Sequence, residues 1–300
     1  MPINMLQHIL HGDVRSIARA ISLIENEVPG YEELMESLPH FKTPIIGITG
    51  PPGAGKSTLV DALIGSLVAT DKKVAVLCVD PSSPFNMGAV LGDRVRMSEW
   101  YNSPAVFIRS LATRGSLGGL HPHIIEITEL LKVAPYDYII VETVGVGQSE
   151  IEIVGLADVT AVVLVPEAGD EIQTMKAGLM EIADIFVVNK CDRPDADRFV
   201  KNLKTMLAPA FSRHTAAVPI IKTTASAKEG IRELLASLEE KLRHHEMADR
   251  KSWLLAERAY HLIERNRMKD VNKQRLKEAI EQLQQKNAFN LYKFVQQFHN

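Results

Sequence analysis

The glycine-rich segment 50–57 holds the residue types whose spacing points most directly to chemistry. Its sequence, GPPGAGKS, matches the pattern GxxxxGK[ST], follows the apolar run IIGIT and opens the amphipathic stretch 57–70. In such a loop, backbone N–H groups surround phosphate oxygens, and the N-terminus of the next helix adds partial positive charge. The lysine reaches the β- and γ-phosphates, and the serine hydroxyl ligates Mg²⁺. The pattern predicts a phosphate loop formed by Gly50, Pro51, Pro52, Gly53, Ala54, Gly55, Lys56, Ser57 and Thr58.

A second motif, Asn189-Lys190-Cys191-Asp192, follows the apolar run 185–188 and indicates which base is bound. An aspartate at a strand end can accept hydrogen bonds from guanine N1–H and the 2-amino group, which adenine does not supply. A site built for such hydrogen bonds can reject an analogue that lacks one by ~10⁴ or more. Asn189 and the stem of Lys190 would brace the loop and cover the base. We therefore expect GTP as the nucleotide.

The segment 137–148 contains an apolar run that ends in an acid, Glu142, with Gly145 three residues later. In phosphate-loop enzymes an acid at this point, usually aspartate, lies on the Mg²⁺ side. The glycine N–H can contact the γ-phosphate, so that hydrolysis releases the following loop. A strand-end glutamate that only caps a helix is the alternative. Two further acids, Asp80 and Asp93, lie in long connections where both ligand groups and ordinary turn aspartates occur.

Seven short β-branched runs between residues 44 and 223 supply the elements that would position these groups. They lack in/out alternation, and helix-length segments separate many of them, which is typical of a parallel sheet buried on both faces. We therefore predict an α/β fold, a doubly wound, mostly parallel sheet of the P-loop NTPase type. The predicted strands are 45–49, 74–79, 105–108, 138–141, 159–165, 185–188 and 219–223.

Helical segments flank the predicted sheet. Asp13 can cap a helix with one apolar face, formed by Val14, Ile17, Ala18, Ile21 and Ile24. Near the C-terminus two apolar stripes repeat the helical spacing, Leu276/Ile280/Leu283 and Leu291/Val295/Phe298. A helix standing free in water cannot bury such stripes, so we expect a homodimer built through this region. The predicted organisation is an N-terminal helical annex over 1–40, a P-loop GTPase domain over 41–245 and a C-terminal helical dimerisation arm over 246–300.

The composition is that of an ordinary globular chain, with 300 residues, 46% of them hydrophobic and 24% charged. No stretch approaches the ~18 uninterrupted apolar residues of a spanning helix, and no presequence is visible. We therefore expect a cytoplasmic protein without a membrane partner. The two cysteines, Cys78 and Cys191, form no disulfide framework. The net charge of −3 argues against broad nucleic-acid binding, although residues 241–300 carry +6.

Seven motifs occur along the chain in the order GPPGAGKST, VDPSSP, LGDRVRM, TRGSLGGL, ETVGVGQSE, PEAGDEIQTMKAG and NKCD. Over nearly its whole length the chain thereby resembles the GTPases associated with methylmalonyl-CoA mutase, long labelled LAO/AO transport-system ATPases. ETVGVGQSE and the GDE-x-Q-x-x-K segment are the most particular to this group. The resemblance implies a GTP-hydrolysing chaperone of an adenosylcobalamin-dependent acyl-CoA mutase, which gates cofactor loading and protects the mutase.

The resemblance also implies roles for individual residues. Asp93 would belong to switch I and the Mg²⁺ shell, and Glu142 to switch II. Asp170 and Lys176 would belong to an additional mobile segment that senses the mutase. The catalytic set is then Lys56, Asp93, Glu142, Asp170 and Lys176, and the Mg²⁺ ligands are Ser57, Asp93 and Glu142.

The last predicted strand leads into a loop that looks like the family's SA(K/R) guanine-contacting turn. Aligning back from Gly230 puts Thr224, Ala225 and Ser226 at the motif, whereas matching letters selects residues 226–228. Both alignments stay open, and the first supplies our expected guanine contacts.

Two other functions share parts of this pattern. One is a protein kinase-like phosphotransferase acting on a transport system, as the older label suggests, although nothing in the sequence forms an acceptor-hydroxyl site. The other is a nickel-delivery GTPase, which calls for clustered His or Cys ligands. The ten histidines of this chain are scattered.

Overall fold

The computed structural model describes residues 2–80, 97–114, 120–144, 149–167, 183–211, 218–243, 249–268, 271–285 and 289–298. The chain forms two compact units, Met1–Lys251 and Ser252–Asn300. The domain boundaries that we expected at residues 40 and 245 stay predictions.

A parallel sheet in the order β3-β2-β4-β1-β5-β6-β7 forms the centre of the first unit. The described strands are β1 Ile45–Thr49, β2 Val74–Asp80, β3 Val106–Ala112, β4 Tyr138–Glu142, β5 Val159–Leu164, β6 Ile185–Val188 and β7 Ile220–Lys222. From β1 the sheet extends to one side through β4, β2 and β3, and to the other through β5, β6 and β7. Ligands of doubly wound sheets bind at the carboxyl ends of the strands where the strand order reverses. The predicted doubly wound α/β fold is confirmed.

Helices flank the sheet and precede and follow it. In the described parts of the chain they are α1 Pro2–Leu10, α2 Val14–Glu25, α3 Tyr31–Glu36, α4 Lys56–Val68, α5 Ile124–Val133, α6 Ser149–Leu156, α7 Ala196–Phe211, α8 Ile231–Arg243, α9 Asp249–Arg267, α10 Lys273–Gln285 and α11 Leu291–Gln296. None of these helices combines the length and the apolar composition that a membrane crossing requires.

Apolar side chains pack on both faces of the sheet, which explains why the strands read as continuous apolar runs. On one face α4 and α8 contribute Leu63 and Leu234 to a core that includes Ile48 of β1. On the other face α7 packs Leu203 against Phe186 of β6. The phosphate loop therefore joins a fully buried strand to a helix that is itself held against the sheet.

Strand β3 is longer than the predicted strand. The prediction followed an apolar run and stopped where polar residues begin in the second half of the strand. The expected run 105–108 is extended to Ala112 through Arg109 and Ser110. The Arg109 guanidinium donates hydrogen bonds to the Glu25 carboxylate and to Ser22 Oγ of α2, the latter at 3.2 Å. A charged strand residue is thus covered by a charged helix partner, a pairing that hydrophobic periodicity does not reveal.

Helix α2 begins at the predicted cap, since the Asp13 carboxylate accepts a hydrogen bond from the Ser16 N–H at 2.9 Å. The predicted apolar face is one turn too early at its start. Val14 is 49% exposed, and the buried stripe is Ile17, Ala20, Ile21 and Ile24. The spacing i, i+3, i+4, i+7 is therefore correct, but it starts at Ile17.

A buried cluster of charged and imidazole side chains joins the end of α2 to the segment that follows β3. Arg114 donates to the Glu25 carbonyl oxygen at 2.5 Å. His121 is 2% exposed, and its Nδ1 accepts a hydrogen bond from the His123 N–H at 3.0 Å. Its Nε2 lies 4.0 Å from a Glu25 carboxylate oxygen. The N-terminal helices are thus tied to the sheet edge by polar contacts as well as by apolar packing.

Acid is expected to destabilise the folded chain through His121. Burial, with smaller contributions from His123 and Arg114, lowers the pKa of His121 to about 4 from its ordinary value of 6.5. Because the unfolded state binds this proton first, stability is lost as the pH falls from about 6.5 toward 4. The contribution between pH 7 and pH 5 is about 2 kcal/mol. Urea unfolding of the wild type and of His121→Gln at both pH values measures it, and identical pH dependence of the two proteins would contradict the assignment.

Among the described residues of the second unit, Phe294 is buried and several apolar side chains are exposed. Phe294 is 6% exposed, and the centroid of its ring lies 5.5 Å from that of Phe298 and 6.1 Å from that of Phe289. The second of the two predicted stripes is exposed in the single chain, with Leu291 at 53%, Val295 at 43% and Phe298 at 49%.

Candidate functional site

A cavity of about 430 Å³ lies over the phosphate loop, at the carboxyl end of β1 and β4. Polar and small residues dominate its wall, as expected for a site that receives a charged ligand. It is lined by Pro52, Gly53, Gly55, Lys56, Ser57, Thr58, Glu142, Thr143, Val144 and Lys190.

Two glycines of the loop are required by close contacts as well as by their backbone angles. Gly50 has φ +138°, and a Cβ there would lie 2.1 Å from the Val163 carbonyl oxygen of β5. Gly55 has φ +85°, and a Cβ there would lie 2.5 Å from Asn189 Nδ2. Side chains at these positions would push the loop away from the neighbouring strand end and from Asn189.

The ammonium group of Lys56 lies inside the phosphate loop. Lys56 is 6% exposed. Its Nζ donates hydrogen bonds to the carbonyl oxygens of Gly50 at 2.9 Å, Pro51 at 3.1 Å and Val144 at 3.4 Å. A positive charge is therefore held at the base of the cavity, between the loop and the end of β4.

Ser57 and Glu142 meet on the other side of the loop, although they are 85 residues apart in the sequence. The Ser57 hydroxyl donates a hydrogen bond to a Glu142 carboxylate oxygen at 2.7 Å, and both residues are buried. Hydroxyl and carboxylate oxygens are the hard ligands that Mg²⁺ prefers. This donor set fits the expected Mg²⁺ ion, with glutamate in place of the usual aspartate.

Residues 189–192, which we call the base-recognition motif after their predicted role, are joined by the buried Asn189 side chain to the phosphate loop and to the loop after β7. Its Nδ2 donates to the Ala54 carbonyl oxygen at 2.9 Å. Its Oδ1 accepts hydrogen bonds from Thr223 Oγ1 and from the Ala225 N–H, each at 3.1 Å. Asn189 therefore links the phosphate loop to the loop after β7, and its role beside a bound base stays a prediction.

The remaining residues of the motif lie around this brace. Lys190 Nζ donates to the Gly53 carbonyl oxygen at 2.7 Å, so its stem runs across the loop. Burial raises the pKa of the Cys191 thiol, and its Sγ donates to the Val188 carbonyl oxygen at 3.0 Å. Asp192 is exposed. This residue is thus open to solvent in the loop that follows β6.

Thr224 and Ala225 are buried beside Asn189, whereas Ser226 is exposed. Ala225–Ala227 form a 3₁₀ turn, and Thr224 pairs with Glu229 across the loop. The turn is closed by Gly230 at φ +73°, where a Cβ would lie 2.1 Å from the Lys222 carbonyl oxygen. Of the first alignment, Ala225 is thus hydrogen-bonded to Asn189, and the choice between the two alignments stays a prediction.

Four of the expected site residues lie outside the described residues: Asp93, Gly145, Asp170 and Lys176. Asp80 lies at the end of β2, and its carbonyl oxygen accepts a hydrogen bond from the Thr113 N–H at 3.0 Å.

Sequence reasoning missed Thr143, Val144 and Thr223. Thr143 lines the cavity, and its hydroxyl lies 2.9 Å from that of Thr49, at the end of β1. Their positions could have indicated them, because Thr143 and Val144 follow Glu142 and Thr223 precedes the loop after β7.

Several known proteins are similar to this chain in sequence or structure over most of its length. A crystal structure of the LAO/AO transport system kinase superimposes with a TM-score of 0.68 at 25% identity, covering 99% of this chain and 96% of that one. A Pyrococcus abyssi relative that is named as a GTPase is 44% identical over 259 residues, which is 85% of this chain and 79% of the relative. The fused isobutyryl-CoA mutase of Geobacillus kaustophilus is 37% identical over 236 residues, which is 74% of this chain and 22% of that protein.

The family described as methylmalonyl Co-A mutase-associated GTPase MeaB matches residues 17–282. This match includes the phosphate loop, Glu142 and Asn189, which the structure brings together at the carboxyl ends of the strands. The chain therefore belongs to the methylmalonyl-CoA mutase-associated GTPase family and is a P-loop GTPase.

Proposed function

We propose that this GTPase uses Mg²⁺ to hydrolyse GTP and acts as a chaperone of an adenosylcobalamin-dependent acyl-CoA mutase in the cytoplasm, gating cofactor loading and protecting the enzyme. One observation carries the proposal of a mutase client. A protein named as a fused isobutyryl-CoA mutase contains, within one chain, a segment that is 37% identical to 236 residues of this protein. Fusion places a GTPase and a mutase in permanent proximity, and separate chains can achieve the same by binding.

The proposed reaction is attack of water on the γ-phosphate, which leaves GDP and phosphate. Lys56 and the loop amides would stabilise the charge that develops on the phosphate oxygens. Ser57 and Glu142 would hold the Mg²⁺ ion, which supplies further charge neutralisation when bound. Asp192 would accept from guanine, with Asn189 and Lys190 bracing its loop. Asp93, Asp170 and Lys176 keep the roles that the resemblance implies, and the Gly145 N–H would contact the γ-phosphate.

The proposal also includes a homodimer formed through the second unit. Exposed apolar side chains support it, since Tyr260 is 65% exposed, Ile263 51% and Tyr292 83%. A monomer gains nothing from leaving such side chains in water, whereas an interface between two copies would bury them.

A mutase client is expected to raise GTP turnover. A partner can do this only by stabilising an arrangement of the GTPase that fits the transition state better than the ground state. Phosphate release should rise about tenfold or more when purified methylmalonyl-CoA or isobutyryl-CoA mutase is added. Lys176→Ala should keep wild-type GDP affinity and lose most of this increase. Lys201→Ala, at an exposed position of α7, is the matched control and should be stimulated like the wild type.

The same assay separates the alternatives when it is run with γ-labelled GTP. Label that appears as free phosphate supports a GTPase, and label that appears on an added transport protein supports the kinase. Equal stimulation of wild type and Lys176→Ala would reject the role of Lys176. An absence of stimulation by either mutase would reject the proposed client.

A further inference from the structure

We propose that Glu167 is a positioning residue for guanine recognition, because it holds the guanidinium of Arg193 away from the carboxylate of Asp192. The inference deepens the proposed function and rests on Asp192 as the guanine acceptor. It assigns a role to an ion pair that neither the phosphate loop nor the Mg²⁺ ligands require.

The geometry that brings the pair together is set by two neighbouring strands. β5 and β6 are parallel and in register, with Leu164 opposite Val188. The Asn189 N–H donates to the Leu164 carbonyl oxygen at 2.8 Å, which keeps the two strand ends side by side. Glu167 follows β5 and Arg193 follows β6, and an Arg193 Nη1 donates a hydrogen bond to a Glu167 carboxylate oxygen.

Arg193 follows Asp192 directly, in the turn that ends the base-recognition motif. The Arg193 N–H donates to the Lys190 carbonyl oxygen at 3.1 Å, so Cys191 and Asp192 occupy the two central positions of that turn. The guanidinium donates a hydrogen bond to Glu167, while Asp192 is the residue directly before Arg193 in this turn. The Arg193 hydrogen bond also keeps the pKa of Glu167 below its usual range, so this partner stays ionised at neutral pH.

The pair is poorly placed to stabilise the fold. The Arg193 side chain is 46% exposed and that of Glu167 49%, and ion pairs at such exposure contribute little to folding stability. We therefore ascribe to the pair an effect on Asp192, which depends on the positions of the two charges and not on folding stability. A guanidinium has five donors in a fork that matches a carboxylate, and charge-assisted bonds of this kind are the stronger ones. Guanine would use the same two oxygens of Asp192.

Neutralising Glu167 removes the carboxylate to which the guanidinium is bound, and Asp192, the preceding residue in the same turn, is the carboxylate that it would then pair with. Binding of guanine must then break an Arg193–Asp192 pair. The consequence is weaker binding of guanine nucleotides without a comparable loss of folding stability.

The test is a pair of substitutions with a rescue. Glu167→Gln should weaken GDP binding by about five- to tenfold, more at low salt than at high salt, since an exposed charge pair is screened. Arg193→Gln should bind GDP like the wild type, and the double variant should return to wild-type affinity. The preference for GDP over IDP, which lacks the 2-amino group, should shrink in Glu167→Gln alone, because a merely structural change would not alter this ratio.

A second exposed ion pair, also on the side of the sheet where the strands end, is the matched control. Lys222 Nζ lies 2.7 Å from an Asp197 carboxylate oxygen, and Asp197→Asn removes this pair without freeing a guanidinium next to Asp192. Asp197→Asn should therefore leave GDP binding unchanged. Wild-type GDP affinity in Glu167→Gln, or a double variant as weak as Glu167→Gln, would overturn the inference.

Asp192→Asn separates this inference from the proposed function. If Asp192→Asn weakens GDP binding and Glu167→Gln does not, the acceptor stands and the role of Glu167 is wrong. If Asp192→Asn binds GDP like the wild type, the acceptor itself is wrong, and the role of Glu167 is overturned with it.

Discussion

Lys56→Ala is expected to remove most GTP hydrolysis and most of the thermal stabilisation that GTP gives the protein. The ammonium is buried in the loop, where its positive charge acts in a medium of low dielectric constant. Removal of one preorganised donor from such a site slows chemistry by about 10²- to 10³-fold. A ligand at about 100 times its Kd stabilises a protein by ~2.7 kcal/mol. Phosphate-release kinetics and thermal melts with and without GTP measure the two effects.

Lys72→Ala is the matched control for Lys56→Ala. Lys72 is a half-buried lysine whose ion pair with Asp137, at 3.1 Å, lies at the opposite end of the strands from the cavity. Its removal should leave hydrolysis and the GTP-dependent shift of the melting temperature as in the wild type. The phosphate-loop role of Lys56 is wrong if Lys56→Ala gains as much stability from GTP as the wild type does.

Asp192→Asn is expected to shift the base preference from guanine to xanthine nucleotides. An amide presents a donor where guanine N1–H or the 2-amino group presents another donor, so one hydrogen bond is replaced by a clash of donors. Xanthine offers a carbonyl oxygen in place of the 2-amino group and can accept from the amide. A site that loses such a match can discriminate by ~10⁴. Titrations with GDP, XDP and ADP would show GDP affinity falling and XDP affinity rising.

Asp195→Asn controls for the general effect of removing a carboxylate near the motif. Asp195 has φ +68°, a backbone angle that asparagine tolerates, and it forms an exposed ion pair with Arg198 at 3.5 Å. This variant should keep the wild-type order of nucleotide affinities. Unchanged GDP affinity in Asp192→Asn would mean that another group reads the base.

Local patterns made most of the fold readable. A strand that is buried on both faces has to be apolar throughout, so β1 is visible as IIGIT and β6 as IFVV without knowledge of their neighbours. The same holds for the cap of α2, because Asp13 and Ser16 are close in sequence. The second half of β3 was not readable, since the half-buried Arg109 is paired with Glu25 on a helix that is distant in the sequence.

The phosphate loop, the base-recognition motif and the class of sheet that carries them follow from the amino-acid sequence alone. These are local properties: glycines with positive φ, a lysine beside a helix start and polar residues directly after apolar strands. Which of these groups are in contact depends on how the strands are arranged in the folded chain. Strand order places Glu142 of β4 next to Ser57 and Asn189 next to Ala54, over separations of 85 and 135 residues. It also joins Glu167 to Arg193, because β5 and β6 happen to be neighbours. Such contacts depend on the pairing of distant strands, which hydrophobic periodicity along one segment does not encode.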